Sequence, residues 1–323
     1  MKGKILFLLC VSSFQLFAQN DTTGNRKDTT VASTPATTNK KSKLTNTETS
    51  AVFNGQRLIN TKTVEILRKG VMAFTVIHTF GNIAGDRGGT KNFFGIDEVS
   101  DAQIGFQFGL GKHLNVALQH TVGGGSGIFH FYEAGIKYQF MNQEKKAPFS
   151  LTAYGNIVTS AQKATFLDSL ENSFRTGSDR LSEFIQLMIA RKFGSVSLQL
   201  SGSYLYTHLV IPGDQNSLFS IGAAMRVPLS RRVFVISDYF HSFRNQESFD
   251  TWKNLGFTPR DVFGIGVEIV TYGHVFHINF TNARNILENR FLAHTSDAWG
   301  KGEFRWGFTL TRNFMIFRPK ESK

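Results

Sequence analysis

Glu133, Lys137, Arg226, Glu268, His277, Asn279, Glu303 and Arg305 are the residues whose types and spacing could do chemistry in this chain. Each lies in a stretch where apolar and polar residues alternate, and each occupies the polar phase. Two chemistries fit them. One is the lining of a polar pore or small-ligand site. The other is a network of paired charges filling an interior, because buried charges must be paired or hydrated. Glu268, His277, Glu303 and Arg305 belong to three consecutive stretches and are expected within reach of one another.

Other reactive groups point nowhere in particular. Of the nine histidines, His78, His120, His130 and His274 fall in the apolar phase, and only His277 is clearly in the polar one. No HxxxH or His-carboxylate cluster shares a face, so neither a metal nor another cofactor is expected. A hydrolase set can be drawn from His208, Asp214, Ser237, Asp238 and His241, but a chain of this length always offers such sets. There is no GxSxG elbow. "GGGSG" (123–127) and "GDRGGT" (85–90) read as loops, and no Lys-Ser/Thr pair follows to cradle a phosphate. The sole cysteine, Cys10, lies in the N-terminal export segment, which leaves the mature chain without a thiolate or a disulfide. No catalytic residue is expected.

The elements that must position these residues are strands. In "GEFRWGFTLTRNF" (302–314), Phe304, Trp306, Phe308, Leu310 and Phe314 fall on one side of an extended chain. Glu303, Arg305, Thr309 and Thr311 fall on the other, the period of two that defines a strand with one apolar face. Twelve such strands are expected at about 70–80, 101–110, 114–121, 128–141, 148–159, 181–192, 196–208, 218–229, 233–243, 260–272, 275–282 and 303–314. Most have about the length that crosses a hydrocarbon core when tilted.

Their connections alternate between short (111–113, 142–147, 193–195, 230–232, 273–274) and longer (81–100, 122–127, 160–180, 209–217, 244–259, 283–302). A soluble sandwich has little reason to sort loops this way, whereas an outer-membrane barrel keeps tight periplasmic turns and longer outer loops. Taking Gly273-His274 as a two-residue turn sets Val267 opposite Phe280, Glu268 opposite Asn279 and Val270 opposite His277. The 32 phenylalanines, many near strand ends, suit interfacial aromatic girdles. No mature segment reaches the apolar length of a membrane helix, and mean hydropathy is −0.15, as interleaved apolar residues would give.

The opening "MKGKILFLLCVSSFQLFAQN" reads as a signal peptide over 1–18. Residues 19–60 are expected to be a disordered Thr/Asn/Lys-rich periplasmic leader with a possible periplasmic partner, 61–317 the barrel, and 318–323 a tail. The formal charge of +12 permits acidic partners such as lipopolysaccharide phosphates; nucleic acid is not expected behind a signal peptide.

"RKGVMAFTVIHTFG" (68–81), "NFFGIDEVSDAQIGFQFGLGKHLNVALQH" (92–120), "YGHVFHINFTNARN" (272–285) and "WGKGEFRWGFTLTRNF" (299–314) together resemble an uncharacterised, domain-of-unknown-function β-barrel family of Bacteroidota-type bacteria. The resemblance implies an outer-membrane barrel and carries no catalytic residue across. The fold expected is therefore all-β: one antiparallel up-and-down transmembrane barrel of about twelve strands. Its surroundings would be outer-membrane lipid and lipopolysaccharide, with the barrel-assembly machinery acting during insertion. The role expected is a passive channel or binding scaffold for small polar solutes. The alternative is a closed structural or partner-binding barrel; a soluble β-barrel binder and an outer-membrane hydrolase rank behind both.

Overall fold

The computed structural model of the protein describes residues 51–123, 129–144, 147–167 and 170–317. The expected signal peptide, the leader as far as residue 50, most of the GGGSG stretch and the tail from 318 lie outside the described residues. Twelve antiparallel strands run in order as β1 Val71–Asn82, β2 Val99–Gly109, β3 Leu114–Gly123, β4 Phe129–Met141, β5 Ser150–Ser160 and β6 Leu181–Phe193, then β7 Val196–Thr207, β8 Ser217–Pro228, β9 Val233–Phe243, β10 Val262–Thr271, β11 His274–Thr281 and β12 Arg305–Met315. Each pairs with its sequence neighbours and β1 pairs with β12, so the barrel closes and no strand edge is left unpaired. All twelve expected strands are present.

The connections 110–113, 142–144 with 147–149, 194–195, 229–232 and 272–273 lie at one end of the barrel, and 83–98, 161–167 with 170–180, 208–216, 244–261 and 282–304 at the other. Two short helices occur in the long connections. α1, Gln246–Asn254, starts where the Asn245 side chain accepts the Ser248 N–H at 2.8 Å. α2, Glu288–His294, lies in the last connection.

Alternation sorts the two surfaces. Along β8, Phe219, Ile221, Ala223 and Met225 are exposed on the outer wall, while Leu218, Ser220, Ala224 and Arg226 are buried inside. The outer wall carries aromatic neighbours such as Phe280 and Trp306, with ring centroids 4.4 Å apart, and His78 stacked on Phe308 at 5.6 Å.

Three expectations are corrected. The β10–β11 turn is Tyr272-Gly273, with Gly273 at φ +89 in its second position, which a residue without Cβ occupies at no cost. The register therefore pairs Glu268 with His277, Val267 with Ile278 and Gly266 with Asn279. Moving the turn by one residue shifts the pairing by two, which leaves every side chain on its expected face and changes only its partner.

The second correction concerns the interior, which is not uniformly polar. Phe184, Met188, Leu205, Leu218, Ile236 and Phe240 form an apolar arc inside the barrel and pack with Val52, Phe53, Leu58, Ile59 and Val64. The third follows from it: the boundary drawn between leader and barrel at 60/61 falls within an ordered, buried segment that begins by residue 52.

Candidate functional site

Residues 51–69 occupy the lumen as a hairpin. Arg57 and Lys62 form an antiparallel bridge, and the Leu58 N–H donates to the Thr61 carbonyl at 3.0 Å, closing a tight tip. Both arms return to the short-turn end. Val52 meets Ser197 at the start of β7, and the Gly70 N–H donates to the Gly109 carbonyl at 3.0 Å at the end of β2. The tip points the other way, toward α2, where Arg57 Nη2 donates to the Ile286 carbonyl at 2.6 Å. Gly264 allows this approach, since a Cβ there would stand 2.9 Å from Asn60 Nδ2 and from an Ile59 methyl.

The hairpin's backbone polar groups are satisfied by the wall, as buried amides must be. Asp238 accepts from the Asn60 N–H at 2.6 Å, Asn60 Nδ2 at 2.8 Å and the Thr61 N–H at 3.0 Å. Gln199 accepts from the Val64 N–H at 3.0 Å and donates to the Lys62 carbonyl at 2.8 Å. Gln139 and Thr152 donate to the Val64 carbonyl at 3.0 and 2.8 Å. Within the hairpin, Glu65 accepts the Val52 and Phe53 N–H groups at 2.8 and 3.0 Å.

The sequence-derived residues divide around this segment. Glu268 accepts from Arg226 Nε at 2.7 Å and from Asn54 of the hairpin at 2.9 Å, and pairs with His277 Nε2 at 3.2 Å; His277 Nδ1 meets the Leu58 carbonyl at 3.1 Å. Lys137 reaches the Gln56 carbonyl at 3.5 Å. Glu133 stands 3.8 Å from Lys62. Asn279 is buried on β11 between Gly266 and Gly307 of the neighbouring strands. Arg305 lies apart from Glu268, at the long-loop end. There it binds Asn82 at 2.5 Å, Ser100 at 3.4 Å and Asp297.

Glu303 does not line the lumen. It precedes β12, where its carboxylate accepts the Ala298 N–H at 2.9 Å and closes a turn, because the alternation in the sequence runs two residues past the start of the strand. The residues that sequence reasoning missed are those of the hairpin itself. Their signal was a handful of apolar side chains in an otherwise polar run, without a period to mark a strand or helix.

A second element fills the other half of the lumen. The 282–304 connection folds inward, burying Ile286, Leu287, Glu288, Phe291 and Leu292. It is tied to the wall by Asp101, which accepts the Ile286 N–H at 3.0 Å, and by Ser242, which donates to the Leu292 carbonyl at 3.1 Å. Hairpin and inward loop meet in an ionic cluster in which Glu288 lies 3.6 Å from Arg57 and 3.5 Å from Lys62. Above it, a cavity of about 60 Å³ remains beneath the long loops, beside Glu171, Arg244 and His294.

This upper layer should respond to pH. Burial, Arg290 and Arg244 push His294 down to about 4 against the opposing pull of Glu171 and Asp214. For Glu171, burial is outweighed by the Arg290 and His294 charges, which take it down to about 2; since His294 is neutral at pH 7, the Arg290 contact at 2.6 Å is the one to credit there. Both shifts are downward, so an undocked loop binds protons before the docked one does. His294's contribution is full above about 6.5 and declines between 6.5 and about 4; that of Glu171 declines between 4.5 and about 2. Trp252, whose ring meets His294 edge-on at 5.2 Å, should report two acid transitions in its fluorescence, the upper one absent in His294→Gln. A flat trace from pH 7 to 4 would contradict this.

The hydrolase candidates are scattered. His208 pairs with Glu183 at 2.9 Å, His241 with Asp261 at 2.8 Å and Asp214 with Arg244 at 2.5 Å, while Ser237 donates to the Gly264 carbonyl at 2.8 Å. Among the described residues no three His, Cys, Asp or Glu side chains are grouped to hold a metal.

The family description "Membrane bound beta barrel domain (DUF5777)" matches residues 53–314. No curated protein matches the chain. Among solved structures it is similar to the KdgM porin, with a TM-score of 0.45 and 4% identity over 76% of this chain and 99% of that one. An outer membrane channel from Pseudomonas putida F1 gives a TM-score of 0.46 and 11% identity over 78% and 98% of the two chains. Omp33 of Acinetobacter baumannii gives 0.37 and 7% over 75% and 97%.

Proposed function

The chain belongs to the DUF5777 family of membrane-bound β-barrel domains, and we propose that this member is an outer-membrane channel closed at rest by its own N-terminal hairpin. The observation that carries this reading is where the wall spends its polar groups. Asp238, Gln199, Gln139, Thr152 and Lys137 are directed at the hairpin's backbone and amide groups rather than at one another. Once the hairpin leaves, the same groups are free to solvate a small polar solute. Tight turns on the hairpin's side would face the periplasm and the long loops the exterior.

A second reading, a permanently closed barrel, draws on the apolar half of the contact, in which Val52, Phe53 and Leu58 share one core with the wall. Planar-bilayer recording separates the two. The refolded mature chain should be nearly silent, and a chain lacking residues 51–67, checked for folding by heat-shifted gel mobility, should give discrete salt-dependent steps. Silence from the folded deletion would leave the closed barrel as the answer. Full conductance from the intact chain would remove the hairpin from its role.

A further inference from the structure

The Lys62 ammonium sits in a cage. Its Nζ is 3.8 Å from Glu133, 3.5 Å from Glu288 and 5.1 Å from the centre of the Tyr154 ring, with the side chain almost fully buried. Two carboxylates and an aromatic face around one cation are the groups that select an ammonium ion over a neutral or anionic group. Lys62 does not use the cage up. Oε2 of Glu288 and Oε2 of Glu133 have no hydrogen-bond partner, and Glu288 Oε1 meets Lys62 and Arg57 only at ion-pair distance.

The wall beside them carries spare polar atoms too. Asn156 gives its Nδ2 to Glu133 at 2.8 Å and leaves its Oδ1 free. Gln186, fully buried and opposite Tyr154 in the β5–β6 register, has neither amide atom bonded. Unpaired buried acceptors on this scale cost free energy unless an occupant meets them.

We propose that this cage is a binding site for the primary ammonium group of a small organic amine, and that Lys62 is a tethered stand-in for it. Four of the six groups belong to the barrel wall, one to α2, and the sixth leaves with the hairpin. Arg57, 3.6 Å from Glu288, would leave at the same time, so the vacated cage keeps both its carboxylates and loses Lys62 and Arg57, while Lys137 remains on the wall nearby. This rests on the reading that the hairpin departs, and specifies what it makes room for.

The test is chemical rescue in the full-length chain. Lys62→Ala removes everything beyond Cβ, a propylammonium group, and should lower the thermal midpoint of the folded barrel. Refolding it with n-propylammonium chloride should restore most of the loss, rising with the logarithm of concentration. Sodium chloride at equal ionic strength and n-propanol should not, and adding Glu133→Gln should abolish the effect. Rescue by propanol as good as by the ammonium would reduce the site to a filled void and overturn the proposal, as would no rescue at all.

A variant that will not fold leaves a second measurement on the unaltered protein. There 1,4-diaminobutane should speed deuterium exchange across residues 51–67 several-fold relative to sodium, by competing with Lys62, and equal rates would overturn the proposal. Neither readout uses conductance, so a silent hairpin deletion would sink the channel while leaving the cage to be judged on its own.

Discussion

Asp238→Ala is expected to raise the population of undocked hairpin by about 10²–10³-fold. The carboxylate takes three hydrogen bonds from the tip, at 2.6, 2.8 and 3.0 Å, two of them from backbone N–H groups. Hydrogen bonds to a charged partner contribute about 1.5–3 kcal/mol each, and their loss here leaves donors buried without acceptors. Allowing for non-additivity, a loss of about 3–4 kcal/mol follows, which is two to three decades at 1.4 kcal/mol per decade. The effect should be confined to the hairpin, since Asp238 is outnumbered by wall contacts that hold β9 in place. Deuterium exchange across 51–67 should accelerate while the strands keep their protection, and openings in a bilayer should become frequent. Asp238→Asn keeps one acceptor and should fall in between. Unchanged exchange in the alanine variant would show that the tip is held by its apolar residues alone.

The second large effect concerns the barrel itself. Glu268 is fully buried between Arg226, 2.7 Å away, and His277, 3.2 Å away, and Arg226 lies over the Phe234 ring at 3.5 Å. Glu268→Ala strands a guanidinium in the interior, and breaking a buried pair from one side costs about 3–5 kcal/mol. The double replacement Arg226→Met with Glu268→Leu removes both charges and fills similar volume, so it should recover much of that loss, short of what Asn54 and His277 lose with their acceptor. Urea unfolding of the single and double variants in detergent decides the matter. If the double variant is as weak as the single one, the pair contributes attraction beyond mutual compensation, and the interior is more polar in character than its burial implies.

How much of this was legible in the sequence follows from the range over which each feature is encoded. Strand positions and the sorting of loops are written locally, in a period of two and in the spacing of turns, and all twelve strands emerge from them. Facing is robust for the same reason, which is why Glu133, Lys137, Arg226, Glu268, His277, Asn279 and Arg305 lie inside. Partner identity is less robust. The Tyr272-Gly273 turn differs from Gly273-His274 by a single step, and that step turns a Glu268–Asn279 pair into the Glu268–His277 contact. The hairpin was illegible because nothing local announces it. Val52, Phe53, Leu58, Ile59 and Val64 become a core only against Phe184, Met188, Leu205 and Ile236, more than a hundred residues downstream. Its Asn- and Thr-rich run continues the composition of the residues before it, so composition placed the boundary too late.

That both arms of the hairpin leave the lumen at the same end has a mechanical consequence. A pull on the chain ahead of Val52 would load the contacts in series: Ser197 first, then Glu65 and Glu268, then the tip at Asp238, with Gly70 held at Gly109 as the fixed end. Contacts that peel one after another yield at low force, whereas contacts sheared together must all fail at once. The closure would therefore resist spontaneous escape, in which a peeled contact re-forms before the next is lost, and still give way to a weak directed tug from the short-turn side.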